Sequence, residues 1–135
     1  MSRSDTLEGR RLLVVEDDYF VAGELVRDLE RRGATIAGPV ATVDDALGLI
    51  AQGGRLDGAV LDINLRGEMA YPVADALIAR GIPLVFTTGY DQTIIPLRYS
   101  VVTRYEKPLD AGKIGRALFG AADSEQSSGP LPQSK

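Results

Sequence analysis

Two chemically versatile side chains are missing from this 135-residue chain, which contains neither cysteine nor histidine. Without cysteine it forms no disulfide and has no thiolate nucleophile. Without histidine it has no imidazole metal ligand, no Ser-His triad and no phosphohistidine. Long hydrophobic runs are missing too: no apolar stretch approaches membrane-spanning length, and the opening MSRSDTLEGRR lacks the apolar centre of a signal peptide. A cytoplasmic protein without a membrane partner is therefore expected.

Positive charge is also scarce, since 15 Lys and Arg stand against 19 Asp and Glu, for a net charge of −4. No basic run or stripe offsets this balance. Nucleic-acid binding depends on clustered Lys and Arg, so nucleic acid is not expected as a partner. With 44% hydrophobic and 25% charged residues, the chain has the composition and length of one globular domain.

Short apolar segments alternate with amphipathic ones along the chain, which predicts alternating strands and helices. The third and fourth apolar segments are continuous, as in strands covered on both faces. This order predicts a parallel sheet with helices on both faces. The strands are predicted at 11–16, 35–40, 57–63, 83–88 and 100–105, and the helices at 18–32, 42–52, 72–80 and 111–120.

The connection after the fourth strand differs from the others. Its sequence, DQTIIPLRY, contains two β-branched isoleucines followed by Pro96, so only a short or irregular fourth helix is predicted there. The last residues, ADSEQSSGPLPQSK, have the Ser, Gly and Pro content of a disordered tail.

Polar residues stand where the predicted strands end. In a parallel sheet with helices on both faces, ligands bind at the carboxyl ends of the strands, so these residues are expected at one edge. Carboxylates suit Mg²⁺, a lysine suits phosphoryl oxygens, and a strand-end aspartate can serve as a nucleophile that forms an aspartyl phosphate. The residues are Glu16, Asp17 and Asp18 after the first strand, Asp62 and Asn64 at the third, Thr88 at the fourth and Lys107 at the fifth.

Each of these features alone has a plainer explanation. An acid after a strand is more often a helix cap, a lone aspartate more often a turn residue, and a Lys-Pro pair more often part of a loop. All of these explanations would have to hold together at one predicted edge. A shared site is therefore the favoured interpretation.

Four segments in order, LLVVEDD, AVLDINL, LVFTTGY and EKPL, resemble the response-regulator receiver domain of two-component signalling. The likeness spans roughly residues 11–120. It implies a flavodoxin-like fold with strand order 2-1-3-4-5, in a stand-alone receiver. The domain would follow an N-terminal arm, 1–10, and precede a disordered tail, 121–135.

The resemblance also implies a role for each site residue. Asp62 would be phosphorylated by a histidine kinase or a phosphotransfer protein, Lys107 would pair with it, and Thr88 would be the switch hydroxyl. The protein would not be an enzyme beyond gaining and losing its own phosphoryl group. Output would come through contact with another protein, or the domain would store phosphate.

A Mg²⁺ ion is implied beside the phospho-acceptor. Asp17 would be a direct ligand and Glu16 would act mainly through water. Asp62 would also belong to the metal site, and Asn64 would offer its backbone carbonyl. Asp18, one place past the acidic pair, is expected to cap the first helix.

The segment FTTGY is similar to the "FAT GUY" branch of receivers, found mainly in alphaproteobacteria and associated with histidine kinases of the HWE type. One position departs from the common receiver pattern, because Arg104 stands where most receivers carry an aromatic residue. Tyr105 follows and should point to the opposite face of its strand. The usual tyrosine–threonine switch is therefore not expected.

Other functions fit parts of the pattern. A Mg²⁺-dependent aspartate-nucleophile phosphohydrolase needs a second acid two residues after the nucleophile, where this chain has Asn64. A cofactor-binding module of the same architecture would need a phosphate-binding glycine loop or a histidine ligand. A receiver-like module that signals without phosphorylation is a further alternative.

Overall fold

A parallel sheet of five strands forms the centre of the computed structural model, which describes residues 6–89 and 95–120. The strand order is β2-β1-β3-β6-β7, and each neighbouring pair is parallel. With the two short strands β4 and β5 set aside, this is the predicted order 2-1-3-4-5. The strands are β1 (Arg11–Val15), β2 (Thr35–Val40), β3 (Gly58–Asp62), β4 (Asn64–Leu65), β5 (Glu68–Met69), β6 (Leu84–Thr88) and β7 (Thr103–Glu106).

Helices cover both faces of the sheet, as predicted. Successive residues of a strand point to opposite faces, so Leu13 and Leu61 belong to one apolar cluster, whereas Leu12 and Val60 belong to the other. The first cluster includes the buried residues of α2 and α3, and the second includes buried residues of α1 (Leu25 and Leu29) and α4 (Ala111 and Ile114). The helices are α1 (Tyr19–Arg31), α2 (Val43–Ala51), α3 (Tyr71–Ala79) and α4 (Ala111–Gly115), and a π-helical turn (Arg116–Gly120) continues α4.

Side-chain caps fix where three of these helices begin. The Asp18 carboxylate accepts hydrogen bonds from the backbone N–H groups of Phe20 and Val21, at 2.9 and 3.1 Å. Thr42 caps α2 and Asp110 caps α4 in the same manner. The predicted capping role of Asp18 is confirmed. This role distinguishes Asp18 from Glu16 and Asp17, the two acids that precede it.

The last strand begins three residues later than its apolar sequence predicts. The N–H groups of Ser100 and Val102 donate to the carbonyls of Leu97 and Tyr99, both at 2.9 Å, which commits this stretch to a turn. Val101 is consequently exposed. Of the predicted fourth-helix segment, 91–99, residues 91–94 lie outside the described residues, and the described part contains one 3₁₀ turn, Leu97–Tyr99.

An antiparallel hairpin, β4–β5, was not predicted from the sequence. Its two-residue turn consists of Arg66 and Gly67, with φ values of +55° and +95°. Consecutive residues with positive φ form the tight turn that suits a hairpin, and glycine at the second position lowers its cost. The hairpin directly follows β3.

Part of the predicted N-terminal arm packs against the domain. Leu7 is buried, and its N–H donates to the carbonyl of Arg32 at 2.7 Å. Residues 1–5 of the arm, and the predicted tail 121–135, lie outside the described residues. None of the helices in the described ranges is both long and apolar enough to cross a membrane.

Candidate functional site

Three strands bring a carboxylate pair and an ammonium group together at one edge of the sheet. Glu16 follows β1, Asp62 ends β3, and Lys107 follows β7. Lys107 Nζ lies 2.8 Å from Asp62 Oδ2 and 2.7 Å from Glu16 Oε1. One lysine is therefore shared between two buried carboxylates from different strands.

A third acid completes the cluster. Ligand oxygens of Glu16, Asp17 and Asp62 all lie within 4.8 Å of one another. Three carboxylates at this separation repel one another, and a hard divalent cation is the partner that oxygen-rich sites of this kind accept. The acidic cluster can therefore bind a divalent cation.

Burial and charge act differently on the members of the cluster. Burial raises the pKa of Glu16 to about 7 although Lys107 opposes it, and burial likewise raises the pKa of Asp62. Burial also acts to raise the pKa of Asp17, but hydrogen bonds with Asp62, Glu16 and Arg66 outweigh it and hold that pKa below its usual value. Burial acts to lower the pKa of Lys107, but its hydrogen bonds to Asp62 and Glu16 raise it overall. The lysine thus stays charged while the two buried acids resist ionisation.

Asn64 and Thr88 frame the same edge. The backbone N–H of Asn64 donates to Asp62 Oδ1 at 3.1 Å, and its side-chain oxygen accepts from the N–H of Gly67 at 2.6 Å. Thr88 is buried at the end of β6, and its carbonyl accepts the N–H of Lys107 at 2.9 Å. Asn64 therefore orients the Asp62 carboxylate, and Thr88 connects the β6 end to the lysine. Their predicted roles as metal ligand and switch hydroxyl remain predictions.

One charged residue at the site was missed by sequence reasoning. Arg66 Nε lies 3.1 Å from Asp17 Oδ2, and its Nη2 lies 3.4 Å from the backbone oxygen of Asp17. The sequence signal was the Arg-Gly pair that begins four residues after Asp62, which indicates a tight turn next to the site. An open depression of about 290 Å³ at this edge is lined by Asp17, Asp62, Asn64, Arg66, Gly67, Gly89 and Lys107.

Next to this edge, an aromatic cluster anchors the 3₁₀ turn. Tyr99 is buried, its ring stacks on Tyr71 at 5.0 Å between centroids, and it meets Phe86 edge-on at 5.7 Å. The Tyr99 hydroxyl donates to Asp75 Oδ1 at 2.5 Å. This aromatic residue comes from the turn before β7, on the face of the sheet that carries α2 and α3.

On β7, Tyr105 points to the face of the sheet that was predicted for it. Arg104 is exposed, and Tyr105 packs with the cluster on the α1 and α4 face. The Tyr105 hydroxyl donates to the carbonyl of Lys113 at 3.4 Å. No aromatic side chain of β7 therefore lies on the face that Tyr99 occupies.

Comparison with known proteins yields no matching protein-family model and no matching curated protein. Solved structures do match. The chain is 39% identical to SdrG from Sphingomonas melonis Fr1, covering 87% of this chain and 98% of SdrG with a TM-score of 0.72. A second structure, the BeF3-activated conformation of SdrG, gives 39% identity over 80% of this chain and 92% of that one, with a TM-score of 0.66. A response regulator receiver protein from Sinorhizobium medicae matches with 21% identity over 84% of this chain and 94% of that one, with a TM-score of 0.67.

The chain belongs to the response-regulator receiver family. A more distant receiver-fold structure is a response regulator from Burkholderia pseudomallei that holds a phosphorylated aspartic acid, a calcium ion and citrate. It is 24% identical, covering 81% of this chain and 66% of its own, with a TM-score of 0.64. Receivers are signalling modules, typically without an enzymatic activity of their own, and a receiver implies a histidine kinase as its partner.

Proposed function

We propose that this receiver accepts a phosphoryl group on Asp62 from a histidine kinase or phosphotransfer protein, in a Mg²⁺-dependent reaction. The observation that carries the proposal is the setting of Asp62. It is a buried strand-end carboxylate held by Lys107 Nζ at 2.8 Å, with Glu16 and Asp17 beside it. A receiver solved in a BeF3-activated conformation, and a more distant one with a phosphorylated aspartic acid, support an acceptor aspartate.

The chain's own residues can position and neutralise the reacting groups. An Asp62 oxygen attacks the donor phosphorus, and the new P–O bond forms as the bond to the donor's leaving group breaks. The leaving group keeps the electron pair and takes a proton from solvent. Lys107 stabilises the negative charge, and the Asn64 N–H fixes the orientation of the carboxylate. Positioning and charge stabilisation are nearly all that phosphoryl transfer requires of a protein.

Glu16, Asp17 and Asp62, with the backbone carbonyl of Asn64, would hold the Mg²⁺. Glu16 would act mainly through water. When bound there, the ion would neutralise the phosphoryl oxygens and hold them in place. The calcium ion in the Burkholderia protein supports a divalent cation at a receiver of this fold.

Thr88 is proposed as the hydroxyl that binds the phosphoryl group once Asp62 is modified. Phosphorylation adds about −1.5 to −2 of charge and strong acceptor oxygens, which gives a nearby hydroxyl a new partner. The sequence predicts that residues 89–99 then become more ordered, and 90–94 of these lie outside the described residues. Amide exchange across 95–99 should slow on phosphorylation, and Thr88→Ala should remove that effect. Equal exchange in both states would exclude this segment as the output.

The finer assignment rests on the FTTGY motif and on the likeness to SdrG. We place the chain in the "FAT GUY" branch and propose a histidine kinase of the HWE type as phosphodonor. The receiver domain would span 11–120, between the arm and the tail, and would act as a stand-alone domain. Its output would be contact with another protein, or storage of phosphate.

A phosphohydrolase is the less favoured alternative. Such an enzyme needs a second acid where this chain has Asn64, whose side-chain oxygen is committed to the N–H of Gly67 in the hairpin turn. A receiver that signals without phosphorylation would not need a complete set of acceptor, lysine and acidic pair.

The test is incubation of the full chain with phosphoramidate, with Mg²⁺ or with a chelator, followed by intact mass and site mapping. Phosphorylation on Asp62 that depends on Mg²⁺ is the expected result. Modification at another residue would overturn the assignment of the acceptor. Equal labelling under chelation would overturn the role of the metal.

A further inference from the structure

Arg66 stands in an unusual backbone position next to the acidic cluster. Its φ of +55° is one that only a few per cent of non-glycine residues adopt. The position is imposed by the β4–β5 hairpin, in which Leu65 pairs with Glu68 across the Arg66–Gly67 turn. The base of the long Arg66 side chain is therefore fixed, within reach of the loop after β1.

Among the residues that the structure describes, Arg66 contacts one acid, Asp17. Both its Nε and its Nη2 approach Asp17, at 3.1 Å from Oδ2 and 3.4 Å from the backbone oxygen. The Arg66 side chain is 78% exposed, whereas that of Asp17 is 18% exposed. Lys107, by contrast, pairs with Asp62 and Glu16. Lys107 therefore pairs with two of the three acids, and Arg66 pairs with the third.

We propose that Arg66 is a tethered cation that competes with the divalent metal for Asp17 and so lowers the metal affinity of the site. This proposal rests on the proposed function, because it assigns Asp17 to the metal. An Asp17 oxygen that accepts the guanidinium has its negative charge partly neutralised. A metal that binds the same carboxylate must displace or share the guanidinium, and the coupling is reciprocal.

The expected size of the effect on metal affinity follows from the high exposure of the Arg66 side chain. Exposed arginine–carboxylate pairs contribute little, equivalent to about a 1.5- to 5-fold change in an equilibrium constant. Loss of the guanidinium should therefore tighten Mg²⁺ binding by about two- to five-fold. The fold should not suffer, because glutamine is no more strained than arginine at this φ.

The experiment is a Mg²⁺ titration of the metal-free full chain, followed by backbone amide shifts. It compares wild type, Arg66→Gln, Arg66→Lys and Arg55→Gln. Arg55 is the matched control, since it is an exposed arginine paired with Asp57 at 3.2 Å ahead of β3, at the opposite end of that strand from Asp62. Arg66→Gln should bind Mg²⁺ about two- to five-fold more tightly, and Arg55→Gln should match wild type.

Arg66→Lys separates contact from net charge. Lysine keeps the positive charge but lacks the two guanidinium donors, so the competition predicts tighter binding than wild type. Binding equal to wild type in Arg66→Lys, with tightening only in Arg66→Gln, would reduce the effect to net charge and overturn a guanidinium contact.

A direct readout is the Nε–H resonance of Arg66 in the wild-type chain. Mg²⁺ should shift this resonance with the same midpoint as the Asp17 amide. An unmoved resonance at saturation, or unchanged or weaker binding in Arg66→Gln, would overturn the competition. So would the absence of Mg²⁺ binding in every variant. Phosphorylation of Asp62 is measured separately, so failure of the Arg66 proposal is distinguishable from failure of the proposed function.

Discussion

The two ends of β3 each carry an aspartate, and their surroundings are opposite. At the amino end, Asp57 accepts the N–H of Arg11 at 2.8 Å and pairs with Arg55, and its side chain is 22% exposed. At the carboxyl end, the side chain of Asp62 is 6% exposed and shares Lys107 with Glu16. Each acid accepts a backbone N–H, but Asp57 does not share its arginine with another acid of the site, whereas Asp62 shares its lysine with Glu16.

This difference is the one expected between an acid that supports the fold and an acid that, as we propose, binds a ligand. A carboxylate with a backbone donor and an arginine needs nothing further. Burial opposes the ionisation of the carboxylates at the carboxyl end, and together with the smaller effect of the neighbouring Asp62 it raises the pKa of Glu16 to about 7. Such an arrangement stores unfavourable free energy in the metal-free protein, and binding of a cation would release it.

The largest expected effect is loss of the acceptor. Asp62→Asn should abolish phosphorylation by kinase and small donor alike, because an amide oxygen is a poor nucleophile. Asp57→Asn should leave phosphorylation intact. Intact mass spectrometry measures both, and a phosphoryl group retained on the Asp62→Asn chain would show that the acceptor lies elsewhere.

The next-largest expected effect is that of removing Lys107, the cation that Asp62 and Glu16 share. Lys107→Met leaves two buried carboxylates without their ammonium partner, and should lower the metal-free unfolding free energy at pH 8 by about 2–3 kcal/mol. Protonation of the acids limits the cost. Arg55→Met at the amino end should cost less than about 1 kcal/mol, as exposed pairs do. Urea denaturation compares the two, and equal losses would mean that both ends are ordinary surface pairs.

Asp17→Asn should weaken Mg²⁺ binding by about ten-fold, the loss expected when a coordination shell is damaged. Asp57→Asn again serves as the matched control, with no change expected. A calorimetric Mg²⁺ titration gives both affinities. An unaltered affinity in Asp17→Asn would remove this residue from the metal site.

A further effect concerns pH. Because the folded-state pKa of Glu16 is raised from 4.5 to about 7, the folded chain binds more protons than the unfolded chain between these values. Its contribution to stability is therefore present below about pH 4.5 and is lost as pH rises through 7. Glu16→Gln should flatten this slope in metal-free denaturation curves. If the free energy of unfolding of Glu16→Gln changed with pH as steeply as that of wild type, another group would be responsible for the pH dependence.

Much of the sheet, and of the candidate site at the carboxyl ends of its strands, can be predicted from the sequence. Short apolar segments and the polar residues that follow them are strong local signals. Continuous burial marks β3 and β6, and the acids and lysine follow from where strands end. Lys107 and Asp62 are 45 residues apart yet meet, since parallel strands end at the same edge.

What sequence reasoning missed depends on contacts between segments. The sequence predicts a strand at Val101 and Val102, but backbone hydrogen bonds within the turn at 97–102 compete with sheet pairing there. The burial of Tyr99 depends on Tyr71 and Asp75, which are distant in sequence and carry no local signal for it. The role of Arg66 likewise depends on a hairpin of only two-residue strands.

The buried Leu7 has a practical consequence for labelling the protein. It fixes the chain beside the amino end of the sheet, whereas Asp62 lies at the other end. The five residues of β1 span about 16 Å at ~3.3 Å per residue. A fluorophore attached at residue 6 would therefore lie at the opposite end of the sheet from Asp62, so it would not cover the edge at which we propose phosphorylation.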